Sequence, residues 1–393
     1  MKKITMATLA LCMASLMGCS SNDDEEPDEL VLPVIVNKFE TKVLWQESVG
    51  DGVGHYYSKL SPTVYKDTVY VADRNGKVKA LSLETGEVIW QKDVRANVAF
   101  WPWEDSDNAK LSGGLLQAFG KIYVGSEHGE IIALDRETGE IVWRKNVPGE
   151  ALSSPAAGDG LIFANLGSGQ LVALHPDTGE QRWKYEQEVP ALTLRGMSAP
   201  VVANGGVLVG EETGKLTVLI SESGFSAWKA DIAVPKGSSE FERLVDVDVQ
   251  PIVSGSMVYT LAYNGNLAAV DIRSGNVVFK REYSGYREIS TDGQNIYLVD
   301  SSGGIFALDK NSGIERWSQP ALVGWHLTGP TVIGNNLVLG DNEGNLHWVD
   351  KTSGDLVSRE EFDSSGFYVE AVTAGNKLII TTRDGEVSVI EAP

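Results

Sequence analysis

Ala133-Leu134-Asp135-Arg136-Glu137-Thr138-Gly139-Glu140-Ile141-Val142-Trp143 is one copy of a pattern that recurs along the chain. Ten residues before Gly139 stands Gly129, and the same spacing separates Gly76/Gly86, Gly169/Gly179, Gly214/Gly224, Gly265/Gly275, Gly303/Gly313 and Gly344/Gly354. Four residues after each second glycine comes, in chain order, Trp90, Trp143, Trp183, Trp228, Phe279, Trp317 and, where the pattern fails, Ser358. Successive first glycines lie 38 to 53 residues apart. A fixed internal spacing within a variable repeat length marks one structural unit copied around a core, with insertions confined to the connections.

Between the paired glycines the chain alternates in polarity, as in Lys77-Val78-Lys79-Ala80-Leu81 and Gln170-Leu171-Val172-Ala173-Leu174. Each such run predicts a short strand with one face buried. A strand precedes it, as in Thr68-Val69-Tyr70-Val71-Ala72, and another follows the second glycine and ends in the aromatic. The glycines read as hairpin turns, where the chain needs positive φ. Four antiparallel strands in about 40–50 residues make one propeller blade. The recurring aromatic is then a wedge between neighbouring blades rather than a ligand platform.

The ends of the chain complete the count. Gly385 is an eighth first-position glycine with no second glycine after it, while Lys42-Val43-Leu44-Trp45 is an outer strand without its three predecessors. Joining them gives an all-β fold: an eight-bladed β-propeller of four-stranded antiparallel blades over residues 41–393, closed by the N-terminal strand. Closure removes the exposed edges that invite aggregation.

Ahead of the propeller, Lys2 and Lys3 precede an apolar stretch from residue 4 to 16, and Leu16-Met17-Gly18-Cys19 resembles a bacterial lipobox. Residues 1–18 are expected to be a signal peptide, too short for a permanent span. By that resemblance Cys19 is the lipid-bearing first residue, and Ser20 after it, as in sorted lipoproteins, favours the outer membrane over the inner one. Residues 19–40, with Asp23, Asp24, Glu25, Glu26, Asp28 and Glu29, read as a charged tether. Cys12 leaves with the signal, so the mature chain has neither a disulfide nor a catalytic thiol. Loss of Lys2 and Lys3 takes the formal charge from −21 to −23. An acidic domain of this kind is repelled by nucleic acid.

Two connections carry unusual chemistry. One contains Glu188-Val189-Pro190-Ala191-Leu192-Thr193-Leu194-Arg195-Gly196, and the other Glu240-Phe241-Glu242-Arg243-Leu244-Val245-Asp246-Val247-Asp248. Each leaves the outer strand of its blade and the blades are neighbours, so topology sets the two side by side on one face. Leucines beside an arginine and two aspartates have the composition of a binding hot spot. Equally, Arg195 pairs with Asp246 or Asp248 across the blade boundary and both leucines belong to the core. Phe100-Trp101-Pro102-Trp103-Glu104-Asp105 is a further aromatic insertion, read as a cap on a blade edge in preference to a partner contact.

The block Ala-Leu-Asp-x-x-Thr-Gly-x-x-x-Trp resembles the repeat of pyrroloquinoline-quinone dehydrogenases, which raises a quinoprotein oxidoreductase as an alternative. That chemistry looks for calcium-binding carboxylates and often adjacent cysteines. Here His55, His128, His175, His326 and His347 do not cluster at metal-ligand spacing, and no cofactor or metal is expected. Fold does not carry activity. Over essentially the whole mature chain, segments such as Leu111-Ser112-Gly113-Gly114, Leu261-Ala262-Tyr263-Asn264-Gly265 and Asp363-Ser364-Ser365-Gly366-Phe367 resemble the BamB family, propeller lipoproteins of the outer-membrane barrel assembly machinery. The resemblance implies a non-enzymatic periplasmic scaffold, lipid-anchored in the outer membrane, that binds the POTRA domains of the central subunit BamA. By that resemblance Leu192, Leu194, Arg195, Asp246 and Asp248 are its partner-binding residues. A chaperone that contacts nascent outer-membrane proteins directly is a third possibility.

Overall fold

In the computed structural model, residues 131–134, Ile131, Ile132, Ala133 and Leu134, are wholly buried on both faces. The alternation predicted one buried face. The difference arises because each blade is stacked between two others, so its middle strands meet apolar neighbours on either side. The outer strand Ile141–Asn146 does alternate, with Val142 exposed and Trp143 buried.

The structure describes residues 30–96 and 107–393. The signal peptide, Cys19, most of the tether and the Phe100–Asp105 insertion lie outside the described residues. Pro33–Pro393 forms one unit of eight four-stranded antiparallel sheets. Seven blades run in chain order from inner to outer strand: residues 63–93, 116–146, 156–186, 201–231, 252–281, 290–319 and 331–361. The eighth joins Val372–Ala374, Lys377–Thr381 and Glu386–Glu391 to the N-terminal strand Lys42–Ser48, as the sequence predicts. Apolar clusters sit between adjacent blades, such as the one that joins Trp45, Val387 and Val389 of blade eight to Val69 and Leu81 of blade one.

The repeat motif resolves into a latch. Asp135 Oδ1 accepts the Thr138 N–H at 2.9 Å and the Glu137 N–H at 3.0 Å, and Gly139 N–H closes the turn on the Asp135 carbonyl. Trp143 reaches the equivalent turn of the next blade. Its indole N–H donates to the Pro176 carbonyl at 2.9 Å, and a Cβ on Gly179 would lie 2.7 Å from its ring. Gly179 also has φ of +67°, so both backbone and space require glycine there. Trp45, Trp90, Trp183, Trp228 and Trp317 donate to Leu83, Arg136, Ser221, Ile272 and Lys351 in the same way, at 2.9–3.0 Å. Phe279 fills the notch of Gly313 without a donor, and Arg281 Nε supplies the bond to the Gly313 carbonyl at 3.0 Å.

Two local details depart from expectation. Gly265 does not take positive φ; Asn264 does, at +47°, because asparagine tolerates the left-handed region and shifts the turn by one residue. Ser358 has no latch to make, because blade eight ends its chain-continuous part at the third strand and has no second-glycine turn. Instead Trp348, on the neighbouring strand opposite Ser358, is fully buried, with the Phe39 ring edge-on at 5.4 Å. Ser358 Oγ donates to the Phe39 carbonyl at 2.8 Å, and Lys38 N–H donates to Val357 at 2.8 Å. The packed chain thus begins at Pro33, inside the stretch assigned to the tether.

Trp143→Ala should cost about 3–5 kcal/mol, and Gly179→Ala more than about 1 kcal/mol, both read as lowered denaturation midpoints. Ser358→Trp should lower rather than raise the midpoint. Backbone N–H groups of Ser274, Ser312 and Ser353 hold the carboxyls of Asp271, Asp309 and Asp350 below the usual carboxylate range. The unfolded chain therefore takes up these protons first. Their stabilisation is complete above an ordinary carboxylate pKa of about 4 and disappears as pH falls through the lower folded values. A melting profile against pH should fall in that acid window, less steeply in Asp309→Asn.

Candidate functional site

The connections following the outer strands of blades three and four meet over one groove of about 440 Å3. Glu188, Pro190 and Leu192 line it from the first connection, and Val234, Glu240 and Leu244 from the second. The side-by-side placement expected from topology is what the structure shows. Leu192 is exposed, at 37%, Leu194 is half-buried and Arg195 is exposed.

Asp246 and Asp248 are different. Both are buried, at 3% and 4% exposure. Burial, then the like charges of Asp248 and Glu212, push the Asp246 carboxyl well above the ordinary range. Asp248 is packed against the end of the first connection, where a Cβ on Gly196 would lie 2.1 Å from Asp248 Oδ2. The glycine of Leu-Thr-Leu-Arg-Gly is thus set by close approach to the second connection.

The pairing of Arg195 with Asp246 or Asp248 does not occur. Arg195 Nη2 lies 3.3 Å from Glu127 Oε2 and 3.3 Å from Glu150 Oε1, over blades two and three. Glu127 is itself gripped by both Nε and Nη2 of Arg74 at 3.1 Å, and Arg74 stacks on Tyr56 at 3.8 Å. The first connection is therefore held in two directions, Arg195 toward blades two and three and Leu192 toward the groove over blade four.

What holds both connections from beneath is Lys59. From the segment leading into blade one it crosses the axis, and its Nζ donates to the carbonyls of Met197 at 3.2 Å and Asp248 at 3.0 Å. It also donates to Asp248 Oδ1 at 3.1 Å and Glu288 Oε1 at 3.2 Å. Burial disfavours the ammonium, but Asp248 and Glu288 outweigh it and hold its pKa well above that of an ordinary lysine. Sequence reading missed Lys59, although a signal exists. Lys59, Met197 and Asp248 each stand three residues before a proline that leads into an inner strand, Pro62, Pro200 and Pro251. The repeat register therefore brings all three to the axis. Glu127, Glu150, Glu212 and Glu288 carry no such mark.

The axial space beside Lys59, lined by Tyr57, Tyr286, Glu288 and Tyr368, is about 120 Å3, below the roughly 300 Å3 at which small-molecule sites begin. The chemistry on offer is a shaped, charged surface. Residues 34–99 and 101–319 match the family described as outer membrane protein assembly factor BamB. The chain belongs to the BamB family. BamB of Yersinia pestis is 40% identical over 385 residues, covering 98% of each chain, and BamB of Escherichia coli K12 is 39% identical over 379 residues, covering 96% of each. The crystal structure of BamB from Moraxella catarrhalis superposes with a TM-score of 0.79 at 23% identity, covering 90% of this chain and all of that one. A quinohemoprotein alcohol dehydrogenase from Comamonas testosteroni shares the fold at a TM-score of 0.70 and 13% identity, covering 89% and 76%. The chain thus sits among assembly factors of the outer membrane, not among the enzymes whose propeller it shares.

Lys59→Met leaves Asp248 and Glu288 buried without their cation and should cost about 3–5 kcal/mol, read as a lowered denaturation midpoint. Adding Glu288→Gln should restore part of it.

Proposed function

We propose that this chain is a non-enzymatic scaffold subunit of the outer-membrane barrel assembly machinery, anchored through lipid on Cys19 on the periplasmic side, that binds the POTRA domains of BamA. The observation that carries this reading is the pair of connections braced over one groove. A binding surface must be presented rigidly if ordering it is not to consume affinity, and here both loops are fixed by Lys59, Arg74 and Glu127 rather than left loose.

Within that surface the five residues have different tasks. Leu192 and Leu194 supply the apolar contact, and Arg195, its guanidinium already held by Glu127 and Glu150, presents a fixed cation at the rim. Asp246 and Asp248 act from below, Asp248 by seating Gly196 and Asp246 by its field. The relatives' name supports the assembly role, and the residues that the family resemblance assigns to partner binding support the partner.

Arg195→Glu places a carboxylate beside Glu127 and Glu150 and reverses the rim charge. It should abolish co-purification with the POTRA domains while the melting temperature stays near wild type. Binding at wild-type level by a folded Arg195→Glu chain sinks the proposal.

A further inference from the structure

The groove between the two connections holds an excess of negative charge that the chain leaves unanswered. Glu188, Glu212, Asp231 and Glu240 line it, and none of the four makes an ion pair among the described residues. Two cations, Lys215 and Arg243, share the lining, so the balance remains acidic. Outside the lining, but near enough for the charge of Glu212 to act on it, is Asp246, more than nine-tenths buried; its Oδ2 and the buried Oε2 of Glu212 have no hydrogen-bond partner among the described residues. Native chains rarely leave such atoms unanswered, and two carboxylates that repel each other make the cost larger. Asp248 is offset by Lys59. Lys59 acts on Asp246 only from a distance, and neither Asp246 nor Glu212 makes an ion pair among the described residues.

We infer that this groove is a receptor for a guanidinium side chain of the bound partner, taken up between Leu192 and Leu244 and aimed at Glu212, with Asp246 behind it. The inference rests on the partner-binding reading above and names the chemistry the partner brings. A guanidinium suits the site better than an ammonium. It is less strongly hydrated, its flat faces pack against apolar side chains, and its fork of donors serves more than one oxygen. The apolar lining, Pro190, Leu192, Val234 and Leu244, lowers the local dielectric and strengthens the attraction. Arg195, turned toward blades two and three, is the cationic counterpart at the other side of the first connection. The surface therefore presents opposite charges in a fixed order, which sets the orientation of a partner as well as its affinity.

The test compares the full-length lipoprotein in detergent micelles with its Glu212→Gln variant. With the POTRA domains as probe, Glu212→Gln should weaken binding by roughly tenfold or more and flatten the salt dependence, with the melting temperature unchanged or raised. If Glu212→Gln binds as wild type while Arg195→Glu does not, the receptor is wrong and the partner reading stands. If the wild type binds no POTRA domain, the partner reading fails, and a second probe decides the receptor. N-acetylarginine amide should shift the carboxylate carbon resonance of Glu212 saturably, whereas N-acetylnorleucine amide should not; no shift with either overturns the inference. Should Glu212→Gln fail to fold, Glu240→Gln on the exposed wall is expected to weaken POTRA binding by about threefold, and unchanged binding there counts against the receptor.

Discussion

Everything in this ring hangs on one contact repeated between neighbours: an indole laid into the notch of the next blade's glycine turn, its N–H given to that turn's carbonyl. A four-stranded sheet with two apolar faces has no stability alone, and hydrophobic packing between sheets is non-directional. The latch adds direction. Because Gly179 leaves no room for a Cβ above the Trp143 ring, and Pro176 offers its carbonyl only 2.9 Å from the indole nitrogen, the next blade is fixed in height and rotation as well as in contact. Repeated around the circle, small angular errors have nowhere to accumulate, and the axis becomes a place where residues from distant blades meet with defined geometry. Lys59, spanning from blade one to Asp248 and Glu288, depends on that.

The one blade whose outer strand lays no ring into a neighbour's glycine notch adjoins the closure. Blade eight is assembled from two ends of the chain, so the turn that would carry the second glycine does not exist, and an aromatic at position 358 would face nothing. The sequence answers with a different solution from the same physics. The large ring moves to Trp348 on the adjacent strand, and Phe39 arrives from the N-terminal segment to cover it. Ser358 becomes small and polar because it must accommodate that passing chain and bond its carbonyl. A failure of the motif is thus a record of where the circle is joined.

The fold was legible because it is written in local, repeated text: turn glycines, anchor aromatics and strand lengths recur at set spacing, and two incomplete ends sum to one blade. The meeting of the two connections was legible too, since it follows from topology alone. The charge pairing within them was not. Arg195 has Asp246 and Asp248 available in the neighbouring connection, yet pairs with Glu127 and Glu150 from blades on its other side. Nothing in the composition of the loops distinguishes these outcomes, because the choice depends on which carboxylates the folded chain buries away from the exposed guanidinium, and Asp246 and Asp248 are both buried. Asp248 is committed to Lys59, a residue nearly two hundred positions away. Only the shared distance of Lys59 and Asp248 from their strand-opening prolines hints at it.

The same ring serves dehydrogenases and this assembly factor, and the difference lies in how the axis is used. Where an enzyme needs room at the centre for a cofactor, this chain fills the centre with a lysine whose three donors serve four acceptors on two neighbouring blades and a third beyond them. An ammonium so saturated is a poor nucleophile and a good strut. It converts an internal cavity into rigidity at the surface, because Met197 and Asp248, the atoms it holds, are the roots of the two connections. Rigidity without catalysis is the property a scaffold needs, and a braced groove flanked by carboxylates without ion pairs is suited to the complementary charge of the proposed partner. The interior of the propeller and its proposed binding face are in this respect a single construction, with the charge balance of one left to be finished on the other.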